Sequence, residues 1–238
     1  MLISQFDYSF AKYLYDKFKD IYFDDKKHVY FNTKTGRKLL SVTQCIKLFE
    51  PKFESDYWAT RKAIERGVTK DDILKEWDDI KKLGLERGNI YHNYIESKHK
   101  RLITDEIIPE IESYISDNSD IPFLSEFIIG NDVIGGKPDH LAIRDNHLVL
   151  VDWKTNKKFT RTSQYKLCNG LEHLDNTEYH KYALQLSLYR YILDIDDIKE
   201  MEIVWFNDDT YEVISMPYLQ DEAKHIINHV NSTAYSNS

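Results

Sequence analysis

At 238 residues, 42% of them apolar and 30% charged, the chain has enough sequence to bury one globular core, and its net charge of −8 excludes passive coating of nucleic acid by a basic surface. Cys45 and Cys168 lie far apart and outside any CxxC spacing, which argues against a disulfide framework, a structural zinc and an iron–sulfur cluster. No run of about 18 apolar residues occurs, and residues 1–20 alternate apolar with charged, so no membrane association and a cytoplasmic location are expected.

Residues 1–20 read as a helix in which Tyr8, Phe10, Tyr13, Tyr15 and Phe18, at helical spacing, fit core packing better than base stacking. A hairpin is predicted over 28–41, turning through Asn32-Thr33-Lys34-Thr35-Gly36. Ser41 or Thr43 caps a short helix ending near Pro51, and 54–66 places Trp58 and Ile64 on a helical pattern. Thr69, followed by Asp71 and Asp72, opens a helix through Leu74, Trp77 and Ile80. Further helices are predicted over 85–100 and 105–117, then strands over 121–129, 132–134, 139–144 and 147–153. A loop over 155–178 leads to a helix over 179–193, strands over 199–206 and 210–216, and a helix over 219–230, with 231–238 frayed. This order predicts an α/β fold: a mixed central sheet flanked by helices, with a helical extension over 1–118 packed as one unit with a core over 119–238.

The strands over 139–144 and 147–153 are joined by Asp145-Asn146, a pair that tolerates the positive φ of a two-residue turn. That turn sets Arg144 opposite His147, Ile143 opposite Leu148, Leu141 opposite Leu150 and Asp139 opposite Asp152. Side chains two apart in a strand share a face, so Lys154 joins Asp152. Carboxylates facing each other with Cβ atoms roughly 5 Å apart repel, and a divalent cation between them reverses the sign. Residues 148–151 are apolar on both faces, as in a central strand, so Asp152 emerges at a buried strand end, where α/β enzymes place their chemistry.

Three further features stand out. Glu126 interrupts an otherwise apolar predicted strand, where an unpaired acid is costly. Gln185 sits in a helix that is apolar nearly all round, with Tyr189 one turn on as a partner for its amide. From Lys154 to Lys166 the chain carries Lys157, Lys158 and Arg161 with no acid, either a solvated loop or a phosphate contact beside the acidic patch.

Gly136-Lys137-Pro138-Asp139, then Asp152-Trp153-Lys154, then Gln185-Leu186-Ser187-Leu188-Tyr189, preceded by Arg87-Gly88-Asn89-Ile90-Tyr91-His92, resemble in order the motifs of PD-(D/E)XK nucleases of the RecB type. The stretch from Ser41 through Trp58 is similar to the helical lead-in of phage-encoded and mitochondrial members, and the likeness spans 40–206. The resemblance implies a restriction-endonuclease-like core and metal-dependent hydrolysis of DNA, most naturally by an exonuclease on single strands or ends in replication, recombination or repair. A structure-specific endonuclease and a catalytically silent DNA-binding subunit are the alternatives. It further implies that Mg²⁺ or Mn²⁺ is held by Asp139, Asp152, the Trp153 carbonyl and His92, with Glu126 a further carboxylate and Glu96 beside His92 on the helix. Lys154 would orient the attacking water and stabilise developing charge, while Gln185 and Tyr189 contact the scissile strand. No GxxxxGK[ST] loop occurs, so any ATP dependence would come from a partner protein.

Overall fold

The computed structural model describes residues 6–100, 102, 107–208 and 210–235. Helix α1 (Tyr8–Phe18) is capped by Asp7, whose carboxylate accepts the Ser9 and Phe10 N–H groups. Leu14 and Phe18 are buried and Phe10 stacks on Phe123, whereas Tyr8, Tyr13 and Tyr15 are exposed, so the aromatic stripe divides between core and solvent.

Strands β1 (Ile21–Asp24), β2 (Val29–Asn32) and β3 (Arg37–Ser41) make an antiparallel meander where a two-stranded hairpin is predicted. The extra strand, β1, is four residues long with only Phe23 buried, too little alternation to stand out from the helix before it. Helix α2 (Val42–Lys47) opens on a Ser41/Gln44 capping box, and α3 (Ser55–Arg66) ends at Gly67, whose φ of 67° closes the helix in the left-handed region. Helix α4 (Lys70–His99) is one 30-residue helix in place of the two predicted. Gly84 and Gly88 each weaken it by about 1 kcal/mol without breaking it. Helix α5 (Pro109–Asp117) begins on its proline; residues 105 and 106, the start of the predicted helix, lie outside the described residues.

There follow β4 (Ile121–Ser125), β5 (Ile129–Gly130), β6 (Ile134–Gly136), β7 (His140–Arg144), β8 (His147–Lys154), α6 (Glu178–Leu193), β9 (Ile198–Asn207), β10 (Thr210–Ser215) and α7 (Gln220–Tyr235). The single strand expected over 121–129 is broken at Glu126, which takes a φ of 52° and leaves the strand. Helix α7 runs on to Tyr235, through part of the stretch expected to fray.

The strands form two mixed sheets, β1-β2-β3-β6-β5 and β10-β9-β8-β7-β4, where one is predicted. The first joins segments from either side of residue 118, because β3 pairs in parallel with β6, Leu40 opposite Ile134. In the second, the β7–β8 hairpin turns through Asp145 and Asn146, both at positive φ, with Arg144 opposite His147, Ile143 opposite Leu148 and Leu141 opposite Leu150, as predicted. The ladder ends at His140 and Val151, one pair short of the expected Asp139–Asp152 rung. Strand β8 is buried on both faces, Leu148 and Leu150 in the main core with Leu184 and Leu188 of α6, and Val149, Val151 and Trp153 in a second cluster with Tyr91, Tyr94 and Tyr114 of α4 and α5.

Strand β6 is packed closely against β2 of its own sheet and against α6. A Cβ on Gly135 would lie 2.5 Å from the Tyr30 ring, and one on Gly136 would lie 2.6 Å from the Tyr189 ring. Gly136→Ala therefore costs about 1–3 kcal/mol through overpacking, read as a lowered midpoint in urea unfolding. Gly67→Asn, at an exposed helix end that tolerates left-handed backbone in either residue, leaves that midpoint nearly unchanged.

Candidate metal centre

Asp139 sits just before β7, and its backbone carbonyl accepts the Glu126 N–H at 3.0 Å, which extends the β4–β7 pairing by one step. The left-handed turn at Glu126 brings its carboxylate toward α4, where His92 Nδ1 lies 3.3 Å from Glu126 Oε1 and 3.7 Å from Asp139 Oδ1. Ligand atoms of His92, Glu126 and Asp139 all fall within 4.8 Å of one another. One imidazole nitrogen and two carboxylate oxygens at that spacing suit a divalent cation. The three line a cleft of about 390 Å³ with Gly84, Gly88, Glu96 and Lys137.

Asp152 lies on the other side of the same sheet end. Its Oδ1 accepts from Gln185 Nε2 at 3.2 Å, and the same amide lies 3.3 Å from the Tyr189 hydroxyl. Its Oδ2, fully buried, has no hydrogen bond among the described residues and is met only by the Lys154 ammonium as an ion pair. The two halves are joined by Asp139, whose Oδ2 accepts the Trp153 N–H at 2.8 Å. A carboxylate oxygen buried with a single cationic partner, next to a triad of ligand type, has the donor set a metal centre needs.

Charge crowding perturbs Asp139, His92, Lys154 and Glu126. Burial, and then the Asp152 charge, push the Asp139 carboxyl up to about 7 against the pull of His92 and Lys154. Burial works against a charged His92, but Asp139 and Glu126 outweigh it and raise the imidazole to about 9. Burial likewise opposes the Lys154 ammonium, and the Asp152 and Asp139 charges hold it protonated well above the usual lysine range. Burial would raise Glu126, yet His92 and Lys137 keep it below the ordinary carboxylate value.

Thus His92, Glu126 and Asp139 come together, and Asp152, Lys154, Gln185 and Tyr189 form a contiguous group beside them. Trp153 meets the site through its N–H, which donates to Asp139. Glu96 lines the cleft but is ion-paired with Lys100 at 2.5 Å. In the basic loop Arg161 is bound to Glu212 at 2.7 Å, whereas Lys157 and Lys158 are exposed.

Three site residues were not singled out in the sequence. Lys137, inside the Gly-Lys-Pro-Asp motif, bonds Glu126 at 2.5 Å and lies over the Phe23 ring. Tyr182 places its ring 4.9 Å from the Lys154 ammonium, and its position three before Gln185 and seven before Tyr189 was the available signal. Tyr30 comes from the N-terminal meander, its hydroxyl pushed up by burial and by the charges of Glu126, Asp25 and Asp139, and no local pattern marks it.

No family model matches this chain, and no curated protein matches it. Among solved structures, one match is described as the crystal structure of SSO0001, 13% identical, with the overlap covering 81% of this chain and 84% of that chain at a TM-score of 0.36. A likeness that remote informs neither the family nor the chemistry.

The raised values of Asp139 and His92 fix a pH dependence. Folding without a metal binds an extra proton at Asp139 between about 4 and 7, and at His92 between about 6.5 and 9, so stability falls as pH rises through those windows. A cation at the triad displaces the same protons, so its affinity rises over the same range. In thermal melts with chelator, the midpoint is expected to fall from pH 6 to pH 9, and the increase produced by Mn²⁺ to grow. Asp139→Asn should flatten the chelator curve below pH 7 and abolish the Mn²⁺ increment.

Proposed function

We propose that this chain is a metal-dependent DNA nuclease with a PD-(D/E)XK core of the RecB type, acting as an exonuclease on single strands or DNA ends. The observation that carries the reading is the His92–Glu126–Asp139 triad set against the Asp152–Lys154 pair at one sheet end. The residues of the four resembling motifs, far apart in sequence, meet there. That convergence supports the reading more than any single motif does. The basic run after Lys154 supports a polyanionic substrate, since Lys157 and Lys158 are free to face phosphates.

In this reading His92, Asp139 and Asp152, with Glu126, hold Mg²⁺ or Mn²⁺, the imidazole favouring tolerance of Mn²⁺. Bound there, the ion supplies Lewis-acid polarisation of a phosphate oxygen and a lowered pKa for water. The chain's own groups do the rest. Lys154, held as an ammonium, offers a fixed positive charge to the negative charge that develops on phosphate. Gln185 fixes the orientation of Asp152 through Oδ1, and Tyr189 fixes Gln185 in turn. Tyr182 covers the Lys154 ammonium with its ring face, which limits where that charge can point.

The test is degradation of linear and covalently circular single-stranded DNA with Mg²⁺ or Mn²⁺. Linear DNA should be consumed and circles spared; equal cutting of circles would replace the exonuclease with an endonuclease, and no metal-dependent cleavage would overturn the reading. Asp152→Ala and Lys154→Ala are each expected to lower the rate about 100–1,000-fold. Replacing Lys157 and Lys158 together with Ala should weaken DNA binding and reduce its salt slope by about 2, with a smaller effect from Arg161→Ala because Glu212 already holds that charge.

A further inference from the structure

A second polar cluster lies beside the first and uses the same three pieces of chain. Two turns beyond His92 on α4, His99 Nδ1 lies 3.1 Å from Ser125 Oγ, and Ser125 Oγ lies 2.9 Å from His140 Nδ1. The two imidazoles stack at 4.2 Å, and His140 stacks in turn on Trp153 at 5.7 Å. Ser125 and His140 form the last rung of the β4–β7 ladder, and the next step is the Glu126 N–H to Asp139 carbonyl bond. Each member therefore neighbours one member of the triad: His99 shares α4 with His92, Ser125 precedes Glu126, and His140 follows Asp139.

We propose that His99, Ser125 and His140 form a clamp that seats α4 on the β4–β7 pair and so sets the separation of His92, Glu126 and Asp139. All three are positioning residues, and the assignment rests on the reading of the triad as a metal centre. The hydroxyl of Ser125 has one proton to donate and two lone pairs to accept with, so it bonds both ring nitrogens as long as at least one imidazole presents an N–H. That makes the bridge directional, unlike an apolar contact. Among the described residues, the other polar ties of α4 to the rest of the fold run to α3, to α5 and to the β9–β10 turn: Lys70 to Asp56, Glu76 to Arg66, Tyr91 to Glu110, Tyr94 and Lys98 to Glu112, and Arg87 to Asp208. Apart from the triad's own contacts, the Ser125 bridge is the hydrogen-bonded link from α4 to the strands that carry the carboxylates. Ligand groups must be held to within about 0.5 Å, which the triad's mutual attraction alone does not provide.

The experiment measures Mn²⁺ alone, by titration calorimetry on the full chain, with far-UV circular dichroism as the check on folding. Ser125→Ala and His99→Leu break the bridge, while Ser125→Thr keeps the hydroxyl and His99→Asn keeps a polar atom at the Nδ1 position. Both bridge-breaking variants should bind Mn²⁺ about 10–100-fold more weakly with the fold intact, and the two conservative ones should stay within about threefold of the parent chain. Should Ser125→Ala not fold, His99→Leu, at a half-buried helix position, carries the measurement. Parental affinity in the bridge-breaking variants, or an equal loss in the conservative ones, would overturn the clamp alone. A parent chain that takes up no Mn²⁺ would overturn the metal centre and the clamp with it.

Discussion

Three carboxylates, Glu126, Asp139 and Asp152, are gathered at one end of a sheet where water reaches them poorly, and much of the local structure answers their mutual repulsion. Each is met by a cation from a different place: Glu126 by Lys137 and His92, Asp139 by His92, and Asp152 by Lys154. Buried ion pairs of this kind are poor stabilisers, because desolvation of both partners cancels most of the attraction. Apolar residues of similar volume would serve a fold better. The arrangement is intelligible as a donor set that could hold a positive ligand.

The backbone is bent to the same purpose. Glu126 lies in the left-handed region, which costs a non-glycine residue roughly 1–2 kcal/mol, and the bend lets consecutive residues Ser125 and Glu126 both reach α4 instead of pointing to opposite faces. Strain of this sort persists where surrounding contacts over-determine it, here the Glu126 N–H bond to Asp139 and the Lys137 ion pair. Gly135 and Gly136 serve in another way. Lacking side chains, they let the rings of Tyr30 and Tyr189 close on β6 immediately before Asp139.

What could be read from sequence follows the range of the interactions. The β7–β8 register was legible because a two-residue Asp-Asn turn fixes it locally, and Gln185 with Tyr189 because an amide in an apolar helix demands a partner one turn away. The missing Asp139–Asp152 rung was not legible, since it depends on Asp139 spending its carbonyl on Glu126 and its carboxylate on the Trp153 N–H. The second sheet escaped notice because its central pairing, β3 with β6, spans nearly a hundred residues and leaves no local period. The continuity of α4 was not legible, because Gly84 and Gly88 lie within it and their propensity cost is outweighed only by the capping box at its start and by packing against α5.

The two halves of the candidate site hang from helices on opposite faces of one sheet: His92 from α4, and Gln185 and Tyr189 from α6. Such a site is only as well defined as the common reference between its helices. That reference is the end of β8, where Asp152 faces the Gln185 side, Trp153 packs on the α4 side, and the Trp153 N–H ties Asp139 to both. A buried strand end paired with its neighbour as far as its last residue is among the stiffest parts of a fold. Placing Asp152 there gives the site one rigid carboxylate, with Lys154 paired to it from the same strand end and the Tyr182 ring over the ammonium.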